Sequence, residues 1–192
     1  MATLIPPEEL LGLYASGWFP MAMPDGSIRC FSPDPRGILP LDAFRVPHGT
    51  RKVLADPAWE VRIDTAFERV VRACAQREET WIDDTILRSY LALHQANCAH
   101  SVEVWRDGKL AGGLYGVRIG AAFFGESMFH TVSGASKVAL VHLVQLLRAR
   151  GFLLLDTQWT TPHLVQFGAR ECPRKDYLKL LAHSLETPVP FP

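Results

Sequence analysis

Three polar residues stand on stretches that otherwise read as buried strand, and their types and spacing suit acyl transfer. In Leu155-Asp-Thr-Gln158, strand alternation puts Asp156 and Gln158 on one face, two residues apart. In Phe123-Phe-Gly-Glu-Ser-Met-Phe129, the same alternation puts Glu126 on a face with Phe124 and Met128. A carboxylate or amide removed from water is costly unless something satisfies it, so each must meet a ligand or a partner within the protein. One reading is a single apolar-walled pocket with a carboxylate and an amide at a strand's C-terminal end. The other is a structural network in which Asp156 caps the next helix or Glu126 takes an arginine. Spacing leaves both open.

Other constellations carry less. Gly125-Glu-Ser127-Met-Phe129 begins like the nucleophile turn of serine hydrolases but lacks its second glycine. His130 is read as an ordinary surface or core histidine rather than a base. The string from Arg45 through His48 to Arg51 and Lys52 gathers positive charge that suits phosphate contacts, or forms a solvated loop.

The elements that must position these residues follow from periodicity and punctuation. A short amphipathic helix runs from Pro6 and is closed by Gly17. Pro20, Pro24, Pro33, Pro35, Pro40 and Pro47 confine the next segment to loop, turn and edge, which predicts a small N-terminal subdomain over residues 1–60. Residues 61–192 then form the larger domain. Asp64 is read as capping a helix to about Gln76, and Asp83 or Asp84 as opening another to about Asn97. Ser101–Trp105 and Leu110–Ile119 form a hairpin about Asp107-Gly108, and Ala121–Phe129 follows as a third strand, so this sheet is expected to be antiparallel. Ser133 opens a helix ending at Arg150, Phe152–Gln158 is a buried strand, and helices from Pro162 and about Pro173 complete the chain. This order resembles an acyltransferase-type α+β fold in which a splayed central sheet holds the acyl donor.

Composition sets bounds. With 192 residues and 48% hydrophobic content, the chain can bury one substantial core. Twenty basic residues balance twenty acidic ones, so no whole-chain positive field exists and any RNA contact must be a local patch. The four cysteines are scattered, which suggests neither a zinc site nor disulfides. The N-terminus lacks the pattern of an export signal, and no apolar run approaches the ~18 residues of a membrane span, so a cytoplasmic protein is expected.

Many short motifs then fall in one order: Gly17-Trp-Phe-Pro20, Ser32-Pro-Asp-Pro-Arg36, Thr80-Trp-Ile82, Ala99-His-Ser-Val-Glu-Val-Trp105, Gly112-Gly-Leu-Tyr-Gly-Val117, Phe124-Gly-Glu-Ser-Met-Phe129, Ala135-Ser-Lys137, Leu155-Asp-Thr-Gln158 and Gly168-Ala169. From about Leu10 to Leu181 the chain resembles the bacterial leucyl/phenylalanyl-tRNA–protein transferases. The resemblance implies a C-terminal domain of the N-acetyltransferase-like (GNAT) fold and a smaller N-terminal one. It implies transfer of Leu, Phe or Met from aminoacyl-tRNA to the N-terminal Arg or Lys of an acceptor protein, marking it for degradation by the N-end rule.

On the same resemblance, Asp156, Gln158 and Glu126 carry the chemistry. Leu114, Phe123, Met128, Leu140, Leu143 and Leu155 wall the donor side chain, and Trp81, Met21 and Phe31 meet the tRNA 3′ end. Arg45, Arg51 and Lys52 are expected on tRNA phosphates. An aminoacyl ester is already activated, so neither a metal nor a coenzyme is required. A monomer is expected. The chain departs from the family pattern at Met21, Cys30, His130 and Gly134, and its first helix begins within the opening ten residues, so the family's N-terminal extension is expected to be largely missing.

Three rivals remain. A CoA-dependent N-acetyltransferase needs a pyrophosphate loop at a helix N-terminus, whereas the nearest string, Arg148-Ala-Arg-Gly151-Phe-Leu153, lies at a helix C-terminus. A leucyl transferase acting on N-terminal Asp or Glu would need basic groups at the acceptor site. An idle tRNA- or peptide-binding module would have no need of Glu126, Asp156 and Gln158 together.

Overall fold

The computed structural model describes residues 4–77 and 79–192; Met1 to Thr3, the start of the stretch read as carrying no export signal, fall outside them. Pro7 opens α1 (Pro7–Ala15), since a residue without an N–H loses nothing in a first helical turn. The Pro-rich segment folds into β1 (Phe19–Ala22) and β2 (Ile28–Phe31), a separate antiparallel pair, and then β3 (Arg36–Ile38). After α2 (His48–Leu54) and β4 (Glu60–Ile63) come α3 (Phe67–Ala75) and α4 (Asp84–Gln95). The central meander is β5 (Ala99–Arg106), β6 (Lys109–Ile119) and β7 (Ala122–His130). The chain closes with α5 (Ala135–Arg150), β8 (Leu154–Gln158), α6 (Pro162–Val165), β9 (Arg170–Cys172) and α7 (Arg174–Leu185).

Seven strands form one sheet in the order β4-β5-β6-β7-β8-β3-β9. The expected α+β class is the one found. One face packs on α5 through Val138, Leu140, Val144 and Leu147, against Leu114, Phe123 and Leu155 of the strands. The other packs on α1, α3, α4 and α7, with Tyr14, Val70, Tyr90 and Tyr177 against Tyr115, Phe124 and Leu154. Gly112 of β6 lets α5 lie close, because a Cβ there would stand 2.6 Å from that of Ala135.

Several expectations need correction. The three strands β5 to β7 are antiparallel as expected, and β4 extends that run; β8 then pairs parallel with β7, because α5 crosses over between them. The segment read as loop, turn and edge supplies an interior strand: the three residues of β3 lie between Pro35 and Pro40, and they pair with β8 on one side and β9 on the other. Asp64 does not cap α3. It accepts from the Ser101 amide at 2.8 Å, while the buried Glu103 of β5 reaches the Thr65 and Ala66 amides at the helix start. Gly134 rather than Ser133 precedes α5. Asp83 does cap α4, accepting from the Ile86 amide at 2.8 Å.

Candidate active site

The site lies where two parallel strands part. β7 and β8 pair only from Ala122↔Leu154 to Phe124↔Asp156, and both ladders then break. In β7 the register against β6 jumps from Tyr115↔Ser127 to Gly116↔Gly125, which leaves Glu126 as the extra residue of a bulge. In β8 the register against β3 jumps from Gly37↔Gln158 to Ile38↔Asp156, which leaves Thr157 extra. Beyond these bulges the strands no longer share a ladder, and a cavity of about 460 Å³ opens. The bulge also overturns the expectation that Glu126 and Met128 share a face. Met128 packs with the α5-side cluster, while Glu126 reaches Tyr90 of α4 on the opposite side.

Asp156 is fully buried, and both its oxygens are occupied. Oδ1 accepts from Arg36 Nε at 3.0 Å and the Gln158 amide at 2.8 Å; Oδ2 accepts from Arg36 Nη2 at 2.8 Å and the Tyr177 hydroxyl at 2.7 Å. Arg36, also fully buried, donates its remaining Nη1 to the Gly17 carbonyl at 2.8 Å and lies over the rings of Phe19 and Tyr177. Burial opposes the Arg36 charge, but Asp156 more than offsets this and holds its pKa above the ordinary value. The pair therefore ties β3, β8, α7 and the end of α1 to one point. Asp156 is not among the cavity-lining residues, in contrast to the expectation that it meets substrate.

Gln158 does line the cavity. Its φ of 56° lies in the left-handed region, a conformation costing about 1–3 kcal/mol that persists only where surroundings impose it. Asp156 imposes it from one side through the amide hydrogen bond. Gly37 permits it from the other, because a Cβ there would stand 2.4 Å from the Trp159 carbonyl carbon. The Gln158 side chain consequently crosses the gap and donates from Nε2 to Glu126 Oε1 at 3.0 Å.

Glu126 receives a second hydrogen bond, from the Tyr90 hydroxyl to Oε2 at 2.8 Å, and Tyr90 is itself in contact with the Tyr14 hydroxyl at 2.5 Å. Burial raises the Glu126 pKa; the nearby hydroxyls of Tyr14 and Tyr90 oppose this, the Asp156 charge adds to it, and the result is a carboxyl pushed up to about 7. Tyr14 and Tyr90 are raised well above their ordinary value, by burial and then chiefly by Glu126, so both stay protonated as donors. A carboxyl balanced near neutrality, held by fixed donors and facing a cavity, can take up and return a proton.

The cavity walls divide by chemistry. Leu114, Met128, Leu140, Leu143 and Leu155 line one side, with Leu164 of α6. Phe123 does not join them. It is fully buried in the core, where its ring stacks on Phe191 at 5.6 Å. Trp81 and Met21 line the opposite side with Phe19, and the Ala22 amide bonds the Trp81 carbonyl at 3.1 Å. Phe31 stands outside the cavity, packed on Trp159 at 6.4 Å. Arg45, Arg51 and Lys52 are exposed and away from the lining, Arg51 and Lys52 on α2, whose Val53 touches Gly134 at the start of α5.

Arg36, Tyr14, Tyr90, Tyr177 and Trp159 are the site residues that sequence reasoning missed. The signal for Arg36 was the buried Asp156, which requires a cation somewhere, but nothing local names a partner 120 residues away.

Comparison with known proteins places the chain. The family model described as leucyl/phenylalanyl-tRNA protein transferase matches residues 38–182. A leucyl/phenylalanyl-tRNA–protein transferase of Akkermansia muciniphila is 56% identical over 185 residues, covering 94% of this chain and 96% of that protein. One of Gloeobacter violaceus is 50% identical over 192 residues, covering 100% of both. Among solved structures, a GCN5-related N-acetyltransferase from Kribbella flavida matches with a TM-score of 0.46 and 10% identity, over 86% of this chain and 60% of that one. The L-PGS structure from Bacillus licheniformis matches with a TM-score of 0.45 and 11% identity, over 81% and 50%. The family match and the near-full-length relatives show that the chain belongs to the leucyl/phenylalanyl-tRNA protein transferase family.

Proposed function

We propose that this protein transfers Leu, Phe or Met from aminoacyl-tRNA to the N-terminal Arg or Lys of an acceptor protein, and that Glu126 is the proton acceptor of the reaction. The observation that carries this is the pairing of Glu126 and Gln158 at 3.0 Å on the rim of an apolar cavity. Marking of the acceptor for degradation by the N-end rule and action as a monomer in the cytoplasm belong to the same reading; a division into residues 1–60 and 61–192 does not, because β3 lies between β8 and β9 in the seven-stranded sheet.

The donor side chain enters between Leu114, Met128, Leu140, Leu143 and Leu155, where a polar side chain would lose its hydration without compensation. The terminal adenosine stacks on Trp81, with Met21 beside it, and flanking phosphates meet Arg51, Lys52 and Arg45. The ester is thereby left at the gap between the bulges. The acceptor's α-amine attacks the ester carbonyl; Glu126 takes a proton from the amine, the C–N bond forms, and the tetrahedral oxyanion develops next to the Gln158 amide. Collapse breaks the C–O bond to the ribose, and the proton held by Glu126 returns to the departing oxygen.

Asp156 acts at one remove. With its oxygens taken by Arg36, Tyr177 and the Gln158 amide, it positions Gln158. Glu126, when ionised, favours a cationic acceptor. The test is transfer of labelled Leu from Leu-tRNA to peptides beginning with Arg, Glu or Ala. Transfer to the Arg peptide is expected. Transfer confined to the Glu peptide would move the protein to the Asp/Glu-directed enzyme, and acetyl-CoA turnover without tRNA would end the proposal.

A further inference from the structure

Among the large apolar side chains lining the cavity, Trp159 alone is strongly exposed, at 44%. Its position is nonetheless fixed. The chain leaves β8 through the left-handed Gln158 and crosses Gly37 at a distance no larger residue would allow. The indole meets Phe19 at right angles with ring centres 5.1 Å apart, and Phe31 supports it from outside the cavity. A rigid, half-open indole beside the reacting groups is a surface for a flat or cationic ligand.

The charges around it choose between those. Across β8, β3 and β9, one row reads Gln158, Gly37, Glu171. Directly opposed residues of antiparallel strands share a face, and over Gly37 the space between its neighbours is filled by the Trp159–Thr160 backbone, which places the chain carrying Trp159 between Gln158 and Glu171. Glu171 is exposed, and its carboxylate makes no hydrogen bond or ion pair among the described residues. Glu126, bonded to the side chain of the adjoining Gln158, stands at the inner end. The buried cation of this corner, Arg36, is neutralised by Asp156. A neutral adenine gains nothing from the carboxylates, and the Arg77 guanidinium at the cavity is turned to the Ser127 hydroxyl and the Met128 carbonyl, whereas a guanidinium or ammonium ligand gains from the carboxylates and from the indole face.

We propose that Trp159 is the platform for the side chain of the acceptor's first residue, its indole stacking on an Arg guanidinium or Lys ammonium while the α-amine reaches the gap between Glu126 and Gln158. This rests on the acceptor reading given above. It makes Trp159 a specificity residue, which selects the acceptor without entering the chemistry.

The experiment is steady-state transfer with each substrate varied in turn, for the unmutated protein, Trp159→Ala, Trp159→Leu and Trp159→Phe. Trp159→Ala should raise KM for an Arg-initiated peptide about tenfold while moving KM for Leu-tRNA less than about twofold. Trp159→Leu keeps the apolar contact with Phe19 and should lose acceptor affinity equally, whereas Trp159→Phe should restore part of it. A rise in KM for Leu-tRNA instead would make Trp159 a nucleotide platform and overturn the inference, as would an unchanged acceptor KM in both Trp159→Ala and Trp159→Leu. Absence of any transfer to basic peptides by the unmutated protein would overturn the acceptor reading itself, and the platform with it.

Discussion

The Gln158 amide reaches Glu126 across a gap that the sheet creates by bulging on both of its sides, at Glu126 in β7 and at Thr157 in β8. Neither residue could meet the other from a regular parallel ladder, where side chains of neighbouring strands stand side by side and point away from the sheet. The site is thus made by local irregularity, and the surrounding network exists to hold that irregularity in place.

Arg36 is the centre of that network. Arg36→Met leaves Asp156 buried without its cation and should destabilise the fold by about 3–5 kcal/mol, measured by denaturant or thermal unfolding. Arg36→Lys should also destabilise it, since an ammonium cannot span both Asp156 oxygens as the guanidinium does. Restored stability in the double variant Arg36→Met with Asp156→Asn would confirm that the loss comes from the stranded charge.

Gln158→Ala should lower turnover at least about tenfold, about 1.4 kcal/mol of barrier, with the fold intact. Gly37→Ala should produce a similar loss together with instability, because its methyl group would displace the Trp159 backbone that follows Gln158. Wild-type turnover in both variants would show that Gln158 and its placement are irrelevant to the reaction.

Two apolar residues near the pocket should behave differently. Met128→Ala enlarges the cavity and should weaken use of Leu and Met more than Phe, by about 1–3 kcal/mol in kcat/KM. Phe123→Ala should instead cost about 3–5 kcal/mol of stability and leave the relative rates of the three donors unchanged. The two variants together locate the wall.

Trp81→Ala should raise KM for aminoacyl-tRNA by the stacking contribution, about 1–3 kcal/mol, and Met21→Trp should leave it unchanged or lower it. Tighter binding at low salt, lost as salt is raised, is expected if Arg45, Arg51 and Lys52 meet phosphates. An unchanged KM in Trp81→Ala would remove Trp81 from the nucleotide site.

The reasons for what could be read in advance differ by element. β5 and β6 were legible because Asp107-Gly108 marks their turn, and α4 because Asp83 has the chemistry of a cap. β3 was not, since its three residues are too few to show a period and lie in a segment dominated by proline. The alternation expected to put Asp156 on a face with Gln158, and Glu126 on a face with Met128, failed in both strands, because one-residue bulges at Thr157 and Glu126 shift the register there and leave no mark in composition. Asp156 was recognisable as a buried charge needing an answer. That the answer is an arginine, and that it removes Asp156 from the cavity surface, depends on strand pairing between β3 and β8.

The raised Glu126 carboxyl has a consequence for stability as well as rate. Its pKa in the folded protein, about 7, exceeds the ordinary 4.5, so the folded state holds this proton more tightly than the unfolded state. The associated stabilisation is fully present below pH 4.5 and is lost as pH rises towards 7. Glu126→Gln should flatten the stability profile across that window, which unfolding titrations at successive pH values would show.

The most direct test is the pH dependence of the single-turnover rate with Leu-tRNA and an Arg-initiated peptide, for the unmutated protein and Glu126→Gln. The unmutated rate should fall as pH drops through about 7, where Glu126 becomes protonated and cannot accept the amine's proton. Glu126→Gln should be at least about tenfold slower and keep only a limb near about 8, belonging to the acceptor's own α-amine. A Glu126→Gln variant with the unmutated rate and an unshifted profile would contradict the assignment of Glu126 as the proton acceptor.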